Sequence, residues 1–177
     1  MKVAELCTRL VRSCGPASTL ADAGWAMWEG DCGVIPIVDD ANKVLGVITD
    51  RDICMAVVTK ARPADQITTQ EISANRAFTC QLDDDVRKAL ETMRAESVRR
   101  LPVVDSEGKL QGVLSLNDVV LAARRRENSR THGVTHEDLV PTLQAVSGHR
   151  RTEVKAERPA LPAQARIHTV VAAAESP

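Results

Sequence analysis

Residues 34–52 read VIPIVDDANKVLGVITDRD, and residues 100–118 read RLPVVDSEGKLQGVLSLND. The second stretch is the first displaced by 66 positions. Each is a β-rich run carrying a proline, a polar turn, a second β-rich run, then a hydroxyl residue three places before an aspartate. In the turn, Asn42 of the first copy faces Gly108 of the second. Asn and Gly are the residues that best accept a left-handed backbone, so both copies are expected to make the same hairpin turn.

The correspondence runs further out. Laid over 71–122 without a gap, residues 5–56 match at 12 positions, where ordinary residue usage would give roughly three. Upstream of each hairpin the apolar residues fall at helical spacing: Val86, Ala89, Leu90 and Met93 in the second copy, Leu20, Ala23 and Met27 in the first. Before each helix stands a short strand candidate, Val11–Cys14 and Ala77–Cys80. After each hairpin a helix is expected, from Asp50 to about Val58 and from Leu116 to about Arg125. Each half therefore reads strand–helix–strand–strand–helix, with a parallel crossover and then an antiparallel hairpin. At ~55 residues one such unit cannot bury itself, so the halves should pack about a pseudo-twofold axis. The fold class is α/β (α+β), with 1–62 the first repeat and 63–126 the second. Residues 127–148 are expected to form a short helical extension, with Leu139, Leu143 and Val146 on one face and Gly148 as its stop. Residues 149–177 are poor in large aliphatics and are expected to be disordered.

Composition narrows the function. The 177 residues are 44 % hydrophobic and 27 % charged, with net charge −1. The body to residue 123 carries −4 and the remainder +3, neither of which fits a polyanion-binding protein. With Phe78, Trp25 and Trp28 the only aromatics, a base-stacking nucleic-acid platform lacks its rings. Aliphatic runs of about five residues are far short of a membrane span. Five cysteines without a C-x-x-C spacing signal neither a disulfide framework nor a zinc site and fit a reducing cytoplasm. No nucleophile–base pair, metal cluster or glycine-rich phosphate loop suggests an enzyme.

Chemistry concentrates at the strand–helix junctions, where Thr49 precedes Asp52 and Ser115 precedes Asp118. One reading is a capping box at each helix start. The other is a ligand site: a helix N-terminus suits a phosphate, and a carboxylate one turn on can accept both hydroxyls of a ribose.

The duplicated order of Pro36-Ile37-Val38-Asp39 and Pro102-Val103-Val104-Asp105, each followed by Gly-Val-hydrophobic-Thr/Ser-x-x-Asp, resembles the tandem cystathionine-β-synthase (CBS) domain pair, or Bateman module, over about residues 1–126. The resemblance implies two clefts between the repeats that bind adenine nucleotides (AMP, ADP or ATP, in some members NAD or S-adenosylmethionine), regulation of a separate partner protein, and homodimers. It implies that Asp52 and Asp118 hold the riboses and that Thr49 and Ser115 contact ribose or phosphate. Ile35 and Leu101 would line the adenine pocket through backbone groups, and Cys14 and Cys80 would lie near the base. Arg99 and Arg100 would neutralise phosphate in one cleft, Arg51 in the other. Each has a plainer alternative: helix caps for the aspartates, a solvated strand edge for Arg99 and Arg100, simple burial for the cysteines. A ligand-free scaffold remains the competing function.

Trp25 and Trp28 occupy positions where the second copy has Glu91 and Arg94. They form either a homodimer contact or a surface covered by the C-terminal helix. His132 and His136 have the spacing of a metal pair, but Gly133 and the cap at Thr135 or Asp138 set His132 off the helix. Arg124–Arg126 are expected to complement a helix C-terminus rather than to bind nucleic acid.

Overall fold

The computed structural model describes residues 1–73, 77–123 and 133–148. The expected 149–177 tail, His132 and Arg124–Arg126 lie outside them. The first repeat comprises α1 (Leu20–Glu29), β1 (Val34–Val38), β2 (Val44–Thr49) and α2 (Asp50–Lys60). The second comprises β3 (Cys80–Gln81), α3 (Val86–Glu96), β4 (Arg100–Val104), β5 (Leu110–Ser115) and α4 (Leu116–Ala122), and α5 (His136–Ser147) follows. The fold is the mixed α+β one expected of the pair.

Both hairpins are antiparallel with the same register and the same irregularity, Val38 opposite Val44 and Val104 opposite Leu110. The turns are alike for a physical reason. Asp39 Oδ1 accepts the N–H groups of Ala41 and Lys43, and Asp105 Oδ1 those of Glu107 and Lys109. Asn42 (φ 62°) and Gly108 (φ 82°) take the left-handed conformation. The duplicated aspartate after each β-run is thus a turn former.

The leading strands are shorter than the sequence indicates. In the second repeat β3 pairs parallel with β4, Cys80 beside Val103. In the first, only Cys14 pairs, parallel to Ile37. Pro16 stands two residues beyond Cys14 and has no N–H to extend the ladder, where the second repeat has Leu82.

Each repeat begins inside the other. Val3 N–H donates to Asp84 O and Ala4 N–H to Leu82 O, while Thr69 N–H donates to Ser18 O and Gln70 N–H to Pro16 O. These contacts correspond under the 66-residue shift. Val3 and Cys7 accordingly sit in the second core with Val86, Leu90, Met93, Leu101 and Leu114. Ile67 sits in the first core with Leu20, Met27, Ile35 and Ile48. The turns also meet across the axis: Val44 N–H donates to Gly108 O and Leu110 N–H to Asn42 O, flanking the paired Lys43 and Lys109.

Helix α5 breaks the symmetry. Its N-cap is Thr135, boxed with Asp138, and Gly148 is its C-cap, as the sequence indicates. It packs on α3, with Leu139 and Val134 in the second core and the Thr142 hydroxyl donating to Leu90 O. It does not cover Trp25 and Trp28, so that alternative is corrected. The two indoles are 66 % and 79 % exposed on α1. The physical reason is where α5 is anchored: Arg87 of α3 holds Asp138 and the Gly133 carbonyl.

Candidate functional site

Strands β2 and β5 each deliver a hydroxyl residue to the start of a helix. Thr49 N-caps α2: its Oγ1 accepts the Asp52 N–H (3.2 Å), and Asp52 Oδ2 accepts the Thr49 N–H (2.9 Å) and hydroxyl (2.7 Å). Ser115 N-caps α4 likewise, with Asp118 N–H to Ser115 Oγ at 3.1 Å and Ser115 N–H to Asp118 Oδ2 at 2.8 Å. Such a cap contributes about 1 kcal/mol to its helix. Among the described residues both boxes engage Oδ2 alone, which leaves Oδ1 of each carboxylate available for another donor.

Beside the second box lies a cleft of about 760 Å³. Ser115, Asn117, Asp118, Val113 and Arg100 of the second repeat form one side of it. The other side is first-repeat chain: the segment from Thr8 to Arg12, the turn from Glu29 to Cys32, and Val34 and Pro36 of β1. Arg12 ion-pairs with Glu29 at 3.0 Å. Among the described residues nothing pairs with the Arg100 guanidinium. The cleft therefore offers an apolar wall (Val11, Val34, Pro36), a carboxylate with one uncommitted oxygen, a hydroxyl and a free cation. Those groups match a flat base, a ribose diol and a phosphate. The volume is within the ordinary range for a ligand of that size.

The structure brings Ser115, Asp118 and Arg100 together in this cleft. Arg99 is exposed and does not line it. Ile35 and Leu101 are fully buried in the two cores, paired with Ile48 and Leu114, so only their backbone can face a ligand. Cys14 and Cys80 end up packed rather than presented. Burial pushes the Cys14 thiol up to about 11 and the Cys80 thiol up to about 12. Thr49, Arg51 and Asp52 mark the corresponding place in the first repeat. By the 66-residue shift the partners of Thr8–Leu10 there are 74–76, which lie outside the described residues.

Sequence reasoning missed the segment from Thr8 to Arg12, the Glu29–Cys32 turn and Asn117. A motif that repeats within each copy gives no sign of residues borrowed from the other copy. Asn117 alone could have been found, since it occupies the position of Arg51. Among the described residues no group of three or more His, Cys, Asp or Glu could hold a metal ion, and no helix is long and apolar enough to cross a membrane.

Known proteins share this architecture. The CBS domain family model matches twice, over residues 3–59 and 70–125. An uncharacterized protein of Methanopyrus kandleri is 30 % identical over 120 residues, a match that covers 68 % of this chain and 61 % of that protein. This chain thus spans about three fifths of that relative. The crystal structure of Hypoxic Response Protein I, a Mycobacterium tuberculosis protein, with two coordinated zinc ions is similar at a TM-score of 0.63 and 25 % identity, covering 68 % of this chain and 98 % of that one. A CBS domain protein from Pyrobaculum aerophilum complexed with AMP gives a TM-score of 0.62 at 26 % identity, covering 67 % and 90 %.

Proposed function

From the premise that this chain belongs to the CBS-domain family, we propose that it is a non-enzymatic sensor that binds an adenine nucleotide between its repeats and signals to a separate protein. The observation that carries this is the cleft itself, where Ser115, Asp118 and Arg100 of one repeat face Val11, Val34 and Pro36 of the other. A ligand there touches both repeats. It can bias their relative arrangement by as much as its affinity differs between the two states. The AMP complex of the Pyrobaculum protein supports the ligand class. Asp118 would take the ribose through its free oxygen, Ser115 the ribose or phosphate, and Arg100 the phosphate. Thr49, Arg51 and Asp52 would do the same in the first repeat, with Cys14 and Cys80 behind the base. The exposed Trp25 and Trp28 would form a homodimer contact. Five cysteines with free thiols support a reducing, cytoplasmic setting.

One observation favours a second reading, a ligand-free interaction module. Thr49 with Asp52, and Ser115 with Asp118, already satisfy one another. Thermal unfolding with AMP, ATP and NAD at millimolar concentration separates the two. A binder gains stability as RT ln(1 + [L]/Kd). Asp118→Ala lowers the melting temperature under both readings. It abolishes the AMP-induced rise only if the carboxylate holds ligand. No rise with any nucleotide in the wild type leaves the scaffold.

A further inference from the structure

The cleft holds a cation to which the nucleotide reading gives no task. Arg12 lies on its first-repeat wall, paired with Glu29 at 3.0 Å, and both side chains are half exposed. Under the 66-residue shift their counterparts are Phe78 and Ala95, neither of them charged. The second repeat makes the same crossover, β3 to α3 to β4, with those two residues in place of the ion pair. The fold therefore does not require the pair, which distinguishes this cleft from its counterpart.

Two observations make Arg12 available to a ligand. Thr8 is bonded to Val113 of β5 and Cys14 to Pro36 of β1, and among the described residues no backbone–backbone hydrogen bond holds residues 9–13 between these anchors. The ion pair is itself weak: at such exposure water screens both charges, so another anion exchanges with the carboxylate readily. A phosphate is well suited to do so, because it offers a guanidinium two parallel charge-assisted hydrogen bonds.

The balance of charge gives Glu29 its part. The cleft is lined by Arg12 and Arg100 against Glu29, Asp31 and Asp118, two positive charges and three negative. With Asp118 given to the ribose, an anionic ligand still meets Glu29 and Asp31. While Glu29 stays on Arg12, the second-repeat Arg100 faces the phosphate without help from the opposite wall.

Resting on the adenine-nucleotide reading above, we propose that Arg12 is a second phosphate ligand and that Glu29 is the counter-ion it gives up on binding. The phosphate takes the guanidinium, the Glu29 carboxylate turns out to water, and the phosphate is held between Arg12 of the first repeat and Arg100 of the second. The phosphate, rather than the base or the ribose, then draws the two walls together. Glu29 sets the affinity at which that happens.

The test is titration calorimetry on the full chain with AMP and adenosine, which differ only in the phosphate. Arg12→Gln should weaken AMP about tenfold and leave adenosine unchanged. Glu29→Gln should tighten AMP several-fold, again without effect on adenosine, a gain that misfolding cannot produce. In the Arg12→Gln background Glu29→Gln should bring little further change, because the two residues act through one exchange. If AMP binds but Arg12→Gln weakens AMP and adenosine alike, or Glu29→Gln fails to tighten AMP, the proposal falls while the sensor reading stands. If neither AMP nor adenosine binds the wild type or Glu29→Gln, both fall.

Discussion

Thr8 and Val113 exchange both of their backbone hydrogen bonds: Thr8 N–H to Val113 O at 3.0 Å, and Val113 N–H to Thr8 O at 2.9 Å. The pair adds a residue of the first repeat to the outer edge of β5 in the second. It also carries the chain directly into the wall of the cleft, which Thr8 itself lines.

This pairing explains a glycine. A Cβ on Gly112 would stand 2.6 Å from the Thr8 carbonyl oxygen, and backbone cannot swing aside. Gly112→Ala should therefore cost about 2 kcal/mol in urea unfolding, in the range of forced overpacking. Gly15→Ala, where a Cβ meets nothing within 4 Å, should be close to neutral. Equal effects would mean that the close approach is not what holds this glycine.

The seat of α5 depends on pH through Asp138. Burial works against its ionisation, but hydrogen bonds from the Thr135 backbone, Arg87 and the Thr135 hydroxyl outweigh burial and hold the carboxyl below the usual range. A depressed carboxylate contributes stability that is complete above its unfolded pKa, near 4, and is lost as pH falls through the folded value. Protection of the α5 amides from hydrogen exchange, corrected for intrinsic rates, should fall between about pH 5 and pH 3. Asp138→Asn should lower protection already at pH 6, by about 1 kcal/mol given the partial exposure of the Arg87 pair. Unchanged protection in that variant would show α5 to be held by Leu139 and Val134 alone.

The thiols should divide into two classes. Cys32 and Cys54 are exposed, whereas burial pushes up Cys7, Cys14 (about 11) and Cys80 (about 12). At pH 8 the Cys80 thiolate fraction is about one in ten thousand. A disulfide reagent should titrate two thiols quickly in the native protein and five after denaturation. A third fast thiol would contradict the packing of the two cores.

Changing Trp25 to Glu and Trp28 to Arg gives α1 the residues of its counterpart α3. If the indoles join two copies, light scattering should show the dimer mass falling to that of the monomer at micromolar concentration. A dimer of unchanged mass would place the contact elsewhere.

The repeat was legible because local chemistry enforces it. Asp39 and Asp105 bind their own turns, Asn42 and Gly108 accept the left-handed backbone, and Thr49 and Ser115 cap the helices that follow. Each acts within a few residues. The reciprocal exchange of Val3 and Ile67 between cores was not legible, since one buried aliphatic side chain suits either core. The cleft was half legible for the same reason. Ser115 and Asp118 lie on the motif, but Thr8, Val11 and Cys32 reach the site only through pairing between the copies. Helix α5 was visible from Leu139 and Gly148, but its berth was not. That is decided by Arg87, which in sequence is one more basic residue on a helix surface.

The crossing of Val3 into one core and Ile67 into the other means that neither lobe is a finished object. Severed between the copies, the two fragments would each hold the missing piece of the other, and their stable form would be the reunited pair. The chain is thus a tethered dimer of one small unit, and the tether fixes which partner each unit meets. One copy can therefore hold a glycine, Gly24, where the other holds Leu90, without losing the partner that completes it.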